Sequence, residues 1–197
     1  MKGRGLESGL LRRGLRLEYA TLGWNIVGVG IVIAAAIAAR SVALAGFGLD
    51  SLIEIFASVI VVWQLKGVNE YRERRALRLI GWAFYALAVY ILIQAAYVLA
   101  RDVRPGTSVL GIVWLAATLI AMLLLASGKR ATGTQLGNVV LMTEAHVTLI
   151  DAYLAGAVLI GLVLNALFGW WWADPLAGLV IVYYGIKEGL AAWRVER

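Results

Sequence analysis

The chain has 197 residues, of which 62% are hydrophobic and only 15% charged, a balance far from that of water-soluble globular domains. This composition predicts an integral membrane protein, and the absence of cysteine excludes disulfides, thiolate metal sites and cysteine nucleophiles together. The formal net charge of +6 calls for no nucleic-acid partner, because no basic and aromatic surface outside the apolar segments is large enough to form such a module.

A hydrocarbon layer about 30 Å thick takes about 20 helical residues to cross, and stretches 19–39, 79–100 and 105–128 are free of charge. Backbone groups in lipid must bond internally, and no ten-residue alternation of apolar and polar residues supports a barrel. The expected fold class is therefore an all-α integral membrane protein with six transmembrane helices. Residues 1–17 are basic and read as a tail or as a helix lying on the inner leaflet. The apolar run after them is too long for a signal-peptide core, so the segment is expected to be retained. Helices are predicted at 18–39, 41–66, 76–100, 108–128, 135–167 and 175–193, making 18–194 the membrane domain and 195–197 a short tail. Pro105-Gly106 divides the third helix from the fourth. Asp174-Pro175 opens the sixth, with Asp174 as N-cap and Pro175 at the first helical position. The fifth span is longer than a bilayer requires, so it either begins outside the membrane or tilts.

With both termini in the cytoplasm, that side receives fifteen of the eighteen lysines and arginines, leaving Arg40, Arg101 and Arg104 opposite. Such asymmetry in short loops predicts an N-in, C-in orientation. The tryptophans at 170–172 then belong to an outer aromatic belt, and the basic inner face suits anionic lipid.

Eight of the twelve acidic residues fall in tails, loops or helix ends, Glu18 and Asp174 among them. Asp50 and Glu54 in helix 2, and Glu144 and Asp151 in helix 5, are at membrane depth. A carboxylate near the bilayer centre costs roughly 2.5–3.5 kcal/mol on insertion scales, so four of them need something to offset them. Asp50 and Glu54 are i,i+4, and Glu144 and Asp151 are i,i+7, so each pair lies on one helical face. No lysine or arginine is expected at comparable depth. The partners of these acids are then protons or a cation, the competing reading being an acid pair solvated in a crevice or hydrogen-bonded between helices for packing. If helices 2 and 5 face each other, the four carboxylates converge on a divalent ion that must displace protons to bind. A site exchanging protons for a metal ion is half of an antiporter, the other half being alternate access from the two sides.

"SVALAGFGLDSLIEIFASVIVV" resembles the second helix of the cation diffusion facilitators, with Asp50 and Glu54 on that family's ligand pair. "EAHVTLIDAYLAGAVLIGLVLNALFGWWWADPLAGLVIVYYGIKEG" resembles its fifth and sixth helices, and the resemblance covers most of 18–193. It implies a homodimer that exports zinc, manganese, iron or cobalt in exchange for protons, with helices 1, 2, 4 and 5 tilting against a steadier 3–6 pair. Two departures stand out. The family's first helix-5 ligand falls on Val147, leaving Glu144, one turn earlier, as substitute. Most members also continue into a cytoplasmic metal-sensing domain, whereas this sequence stops at Arg197, the expectation being a short form.

The candidate metal ligands are thus Asp50, Glu54, Asp151 and Glu144. Asn25 and Thr148 are accessory candidates through neutral oxygens or through bonds to the ligands. His146 is a third, but five residues at about 100° each set it on roughly the opposite face from Asp151, so an interfacial or inter-helix bond is the commoner fate of such a residue. Gly23, Gly28, Gly30, Gly156 and Gly161 suit either helix motion or ordinary close packing. Phosphate loops, nucleophile triads and zincin patterns are missing, so an enzyme is not expected. The functional expectation is a proton-coupled exporter of Zn²⁺, or of Mn²⁺, Fe²⁺ or Co²⁺, in a bacterial inner membrane. The metal enters as cargo, without a resident cofactor. A non-transporting scaffold or regulatory subunit that keeps the fold is the alternative.

Overall fold

The computed structural model describes residues 2–65 and 70–194, with the side chains of 8–56, 58, 59, 62, 81–138 and 141–190. Several basic residues used to orient the chain, including Lys66, Arg72, Arg74, Arg75, Arg78 and Arg194, and the tail at 195–197, have side chains outside the described residues. Among the described residues all regular structure is helical. The order is α1 (Lys2–Ala39), α2 (Val42–Leu65), α3 (Glu70–Ala100), α4 (Val109–Leu136), α5 (Val139–Phe168) and α6 (Ala173–Arg194).

Hydropathy located these helices, while local chemistry set their ends; α3 begins at Glu70, six residues before the predicted start, α5 at Val139, four after it, and three further differences bear on the interior. First, α1 starts at Lys2 and not near residue 18, because the leucine- and arginine-rich segment before Glu18 contains good helix formers and no proline. Secondly, α4 does not end at the charged Lys129-Arg130 step but runs to Leu136. A charge does not break a helix; a glycine in the left-handed region does. Gly137, at φ 62°, donates its N–H back to the carbonyls of Gly133 and Thr134. Asn138 then caps α5 by accepting from the Leu141 N–H at 2.9 Å. Thirdly, α6 begins at Ala173, one residue ahead of Asp174, so Asp174 lies in its first turn and not at its cap.

Asp174 instead caps another helix. Its Oδ1 accepts the backbone N–H groups of Val42 (3.0 Å) and Ala43 (3.4 Å), and its Oδ2 accepts the hydroxyl of Ser41. Ser41 Oγ in turn accepts from the Leu44 N–H at 3.0 Å. The free N–H groups that open α2 are thus satisfied from its own Ser41 and from α6. Asp174→Ala removes a fully buried acceptor from these donors. It is expected to destabilise the chain by about 1–3 kcal/mol, with Asp174→Asn recovering part of the loss. Thermal unfolding of the purified variants in detergent measures it, and an unchanged Asp174→Ala melting temperature would contradict the capping role.

α4 and α5 form an antiparallel hairpin with an extensive mutual face, and α3 pairs with α6 in the same way. α2 sits between these pairs and touches α1, α3, α5 and α6. The core where they meet holds Leu44 and Phe47 of α2, Ile91 of α3, Leu115 of α4, Val158 and Leu162 of α5 and Ile181 of α6, all but sealed from solvent. Of the glycines singled out from sequence, Gly161 is the one in tight contact with backbone of another helix. A Cβ there would meet Ala177 Cβ at 2.8 Å and the Ala173 carbonyl oxygen at 3.0 Å, so α5 and α6 approach each other through it. Gly23 and Gly30 face open space.

The outside of the bundle is as apolar as its inside. Ile37 is 74% exposed, Val109 73% and Leu167 71%, far more bare hydrocarbon than a soluble monomer presents. Trp170 and Trp172 stack with ring centres 5.3 Å apart at the α5–α6 junction, both well exposed. By length and composition, four segments among the described residues suffice to cross a membrane: Ser8–Ala39, Gly81–Ala100, Val109–Leu136 and Leu141–Phe168.

Candidate metal site

The polar interior lies where α1, α2, α4 and α5 meet, and it has two tiers. In the first, Asp50 and Glu54 project from successive turns of α2, about 6 Å apart along its axis. Glu54 is buried, and its Oε2 accepts a hydrogen bond from Asn25 Nδ2 of α1 at 3.0 Å. Asp151 of α5 comes alongside Glu54, with Asp50 its next carboxylate neighbour. Asp151 is 3% exposed, yet neither of its oxygens has a hydrogen-bond donor, and Glu54 Oε1 also lacks one. Buried polar atoms are nearly always satisfied, and leaving a carboxylate oxygen without a donor is expensive. Three donor-less oxygens on two adjacent helices are therefore a place where a cation or a proton is strongly favoured.

The second tier lies two turns along α5 from Asp151. Lys129 of α4 is fully buried. Its ammonium donates to Glu18 Oε2 of α1 (3.1 Å), Glu144 Oε1 (3.4 Å) and Thr148 Oγ1 (3.0 Å), the last two on α5. These three acceptors match the three N–H donors of an ammonium. Ser58 of α2 adds a hydroxyl donor to Glu144 Oε1 at 3.3 Å.

This tier corrects the sequence reading that no basic side chain shares the depth of the acids and that Glu18 belongs to a helix end. Both errors come from the helix ends. Because α1 starts sixteen residues before Glu18 and α4 continues seven beyond Lys129, the two residues are interior positions. The expected convergence of four acids on one point is corrected as well. Among the described residues no three acid or histidine side chains stand close enough together to hold one metal ion. Glu144 is drawn to the ammonium, and like-charged carboxylates gain nothing from approaching one another further. Thr148 is likewise engaged by Lys129, while Asn25 is held by Glu54. His146 is exposed, on the side of α5 near Glu188 of α6. Sequence reasoning missed Lys129 and Glu18; the Gly137-Asn138 stop signal, eight residues past Lys129, was the clue available.

Bare hydrocarbon outside and a column of carboxylates inside define a multi-pass membrane protein with a polar interior. Residues 79–194 match the cation efflux transmembrane domain, which is more than half of the chain, and the protein belongs to the cation efflux family. The match spans α4, α5 and α6 with most of α3, and so includes Lys129, Glu144, Thr148 and Asp151; Asp50 and Glu54 lie before it. Transmembrane protein 163 of Xenopus laevis is 28% identical over 153 residues. That alignment takes in 72% of this chain and 54% of the frog protein, so the chain spans about half the length of the relative it matches.

Proposed function

We propose that the protein carries divalent metal cations across a membrane, with Glu54 and Asp151, which already stand side by side, holding the cargo and Asp50 closing on it as the ion binds. The observation that carries this reading is the pair Glu54 and Asp151. Two acids from separate helices stand side by side in the interior with oxygens that no protein donor satisfies. A divalent ion at about 2.0–2.6 Å from such oxygens would satisfy them, and protons are the other species able to do so. Exchange of one for the other is the chemistry of a proton-coupled antiporter. Asn25, whose amide nitrogen is bonded to Glu54, is an accessory ligand through its amide oxygen. Glu144 is the next carboxylate along the α5 face, where Lys129 holds it in the second tier at 3.4 Å.

Family habit puts Zn²⁺ first, and an all-oxygen ligand set puts Mn²⁺ and Fe²⁺ close behind. In this reading all six helices cross the bilayer with both termini in the cytoplasm, the protein works as a homodimer, and it resides in a bacterial inner membrane. The distribution of lysine and arginine supports the orientation. Purified protein in proteoliposomes with a pH dye inside, given an inward or outward Zn²⁺ or Mn²⁺ gradient, tests the function. Metal-driven proton movement is expected. A chain that moves neither ion nor proton and binds no metal in calorimetry would be a scaffold built on the same fold.

A further inference from the structure

The two tiers are built from the same faces of the same helices. On α1, Glu18 precedes Asn25 by seven residues; on α5, Glu144 precedes Asp151 by seven; on α2, Ser58 follows Glu54 by four. Seven residues are two turns, about 10 Å along a helix. These three helices thus each contribute to both the first, upper tier and the second, lower one, while α4 supplies Lys129 to the lower alone. The difference is the occupant. In the lower tier a cation is already present, the Lys129 ammonium, three-coordinate to oxygen at 3.0–3.4 Å. One oxygen of that tier, Glu18 Oε1, is buried and has no donor at all.

We infer that the lower tier is a second cation station, formed by Glu18, Glu144, Thr148 and Ser58, and that Lys129 is its tethered occupant. The ammonium fills the station in place of a free ion and keeps Glu144 out of the upper tier. It thereby restricts the chain to one cargo ion at a time. Divalent cations of hard or borderline character are the class the vacated oxygens would take. The inference rests on the cargo reading above only for what the upper tier binds; the station itself is defined by Lys129 and its own partners. Arginine at 129 would keep the charge, whereas methionine keeps the apolar stem and removes the cation.

The test uses the full chain in nanodiscs, dialysed to equilibrium against Zn²⁺ and, separately, Mn²⁺, with bound metal per chain measured by elemental analysis. Lys129→Met is expected to gain about one ion per chain over the wild type, since its station is freed. Lys129→Arg is expected to match the wild type, and Lys129→Met combined with Glu18→Gln to lose the gain. Adding Asp50→Asn and Asp151→Asn to Lys129→Met should remove the upper-tier ion and leave the gained one. If those two changes leave wild-type binding intact, the cargo reading fails while the Lys129 result stands. No gain in Lys129→Met with either ion, or a gain indifferent to Glu18→Gln, overturns the tethered-cation inference. Should Lys129→Met melt in chelator, millimolar Mn²⁺ or Zn²⁺ is expected to restore its thermal transition, and failure to restore it also overturns the inference.

Discussion

Asp151→Asn and Asp50→Ala are each expected to abolish metal-driven proton flux in proteoliposomes, a loss of at least about 100-fold. A charged ligand facing a divalent ion contributes on the order of 3 kcal/mol or more, and every 1.4 kcal/mol is tenfold. The asparagine keeps the size of the carboxyl group and one of its oxygens, so the change removes charge and leaves the packing of α2 against α5 in place. A second readout separates a cargo role from a packing role. Asp151 is buried without a single donor, so its neutralisation should leave the metal-free protein as stable as the wild type or more so, as happens when a site held ready for a ligand is relaxed. The stabilisation that Zn²⁺ or Mn²⁺ gives the wild type should disappear at the same time. Undiminished flux in both variants would remove the cargo assignment, and a collapse in metal-free melting temperature would make Asp151 a structural acid.

The second large effect concerns Glu18 and Lys129, whose charged atoms lie 3.1 Å apart with no exposed surface on either side chain. Removing one member of a buried ion pair typically costs about 3–5 kcal/mol, because the other is left charged in a low dielectric. Glu18→Gln and Lys129→Met should therefore each lower the melting temperature sharply in chelator-treated protein. The double variant leaves no orphan from this pair and should lie well above the sum of the two losses, with a coupling of about 1–3 kcal/mol. Strict additivity would show that the two side chains do not sense each other in the folded chain. The interaction is internal, so the coupling should also survive high salt, unlike that of a surface pair.

The sequence was most informative about composition along the chain. Six apolar stretches became six helices, and the spacing of Asp50 to Glu54 and of Glu144 to Asp151 marked the faces that turn inward. What it obscured were features that depend on where a helix stops or on which helix lies opposite. Lys129 and Arg130 together resemble a loop to any rule that equates charge with the membrane edge; only the glycine and asparagine at 137 and 138 show that α4 continues past them. Once it does, a long aliphatic stem lets Lys129 deliver its charge to acids on two other helices, an arrangement with no signature in local spacing. Asp174 misled in the other way. Asp-Pro at the start of a helix is a sound capping signal, but the carboxylate found better donors on α2, more than 130 residues earlier in the chain. Pairings across such separations are set by tertiary packing, which a single sequence does not encode in any short window.

The clasp between Ser41, Asp174 and the first N–H groups of α2 also fixes how α2 can swing. Fastened at that end to α6, the helix would act in the proposed transport cycle as a lever with its fulcrum at Val42, any movement growing with distance from it. Glu54 lies twelve residues out, about 18 Å along the axis. A pivot of about 10° would carry its carboxylate sideways by about 3 Å, the width of one hydrogen bond, while Asp50 travels two-thirds as far. A small rotation at the clasp is thus enough to part Glu54 from Asp151 and to bring it back.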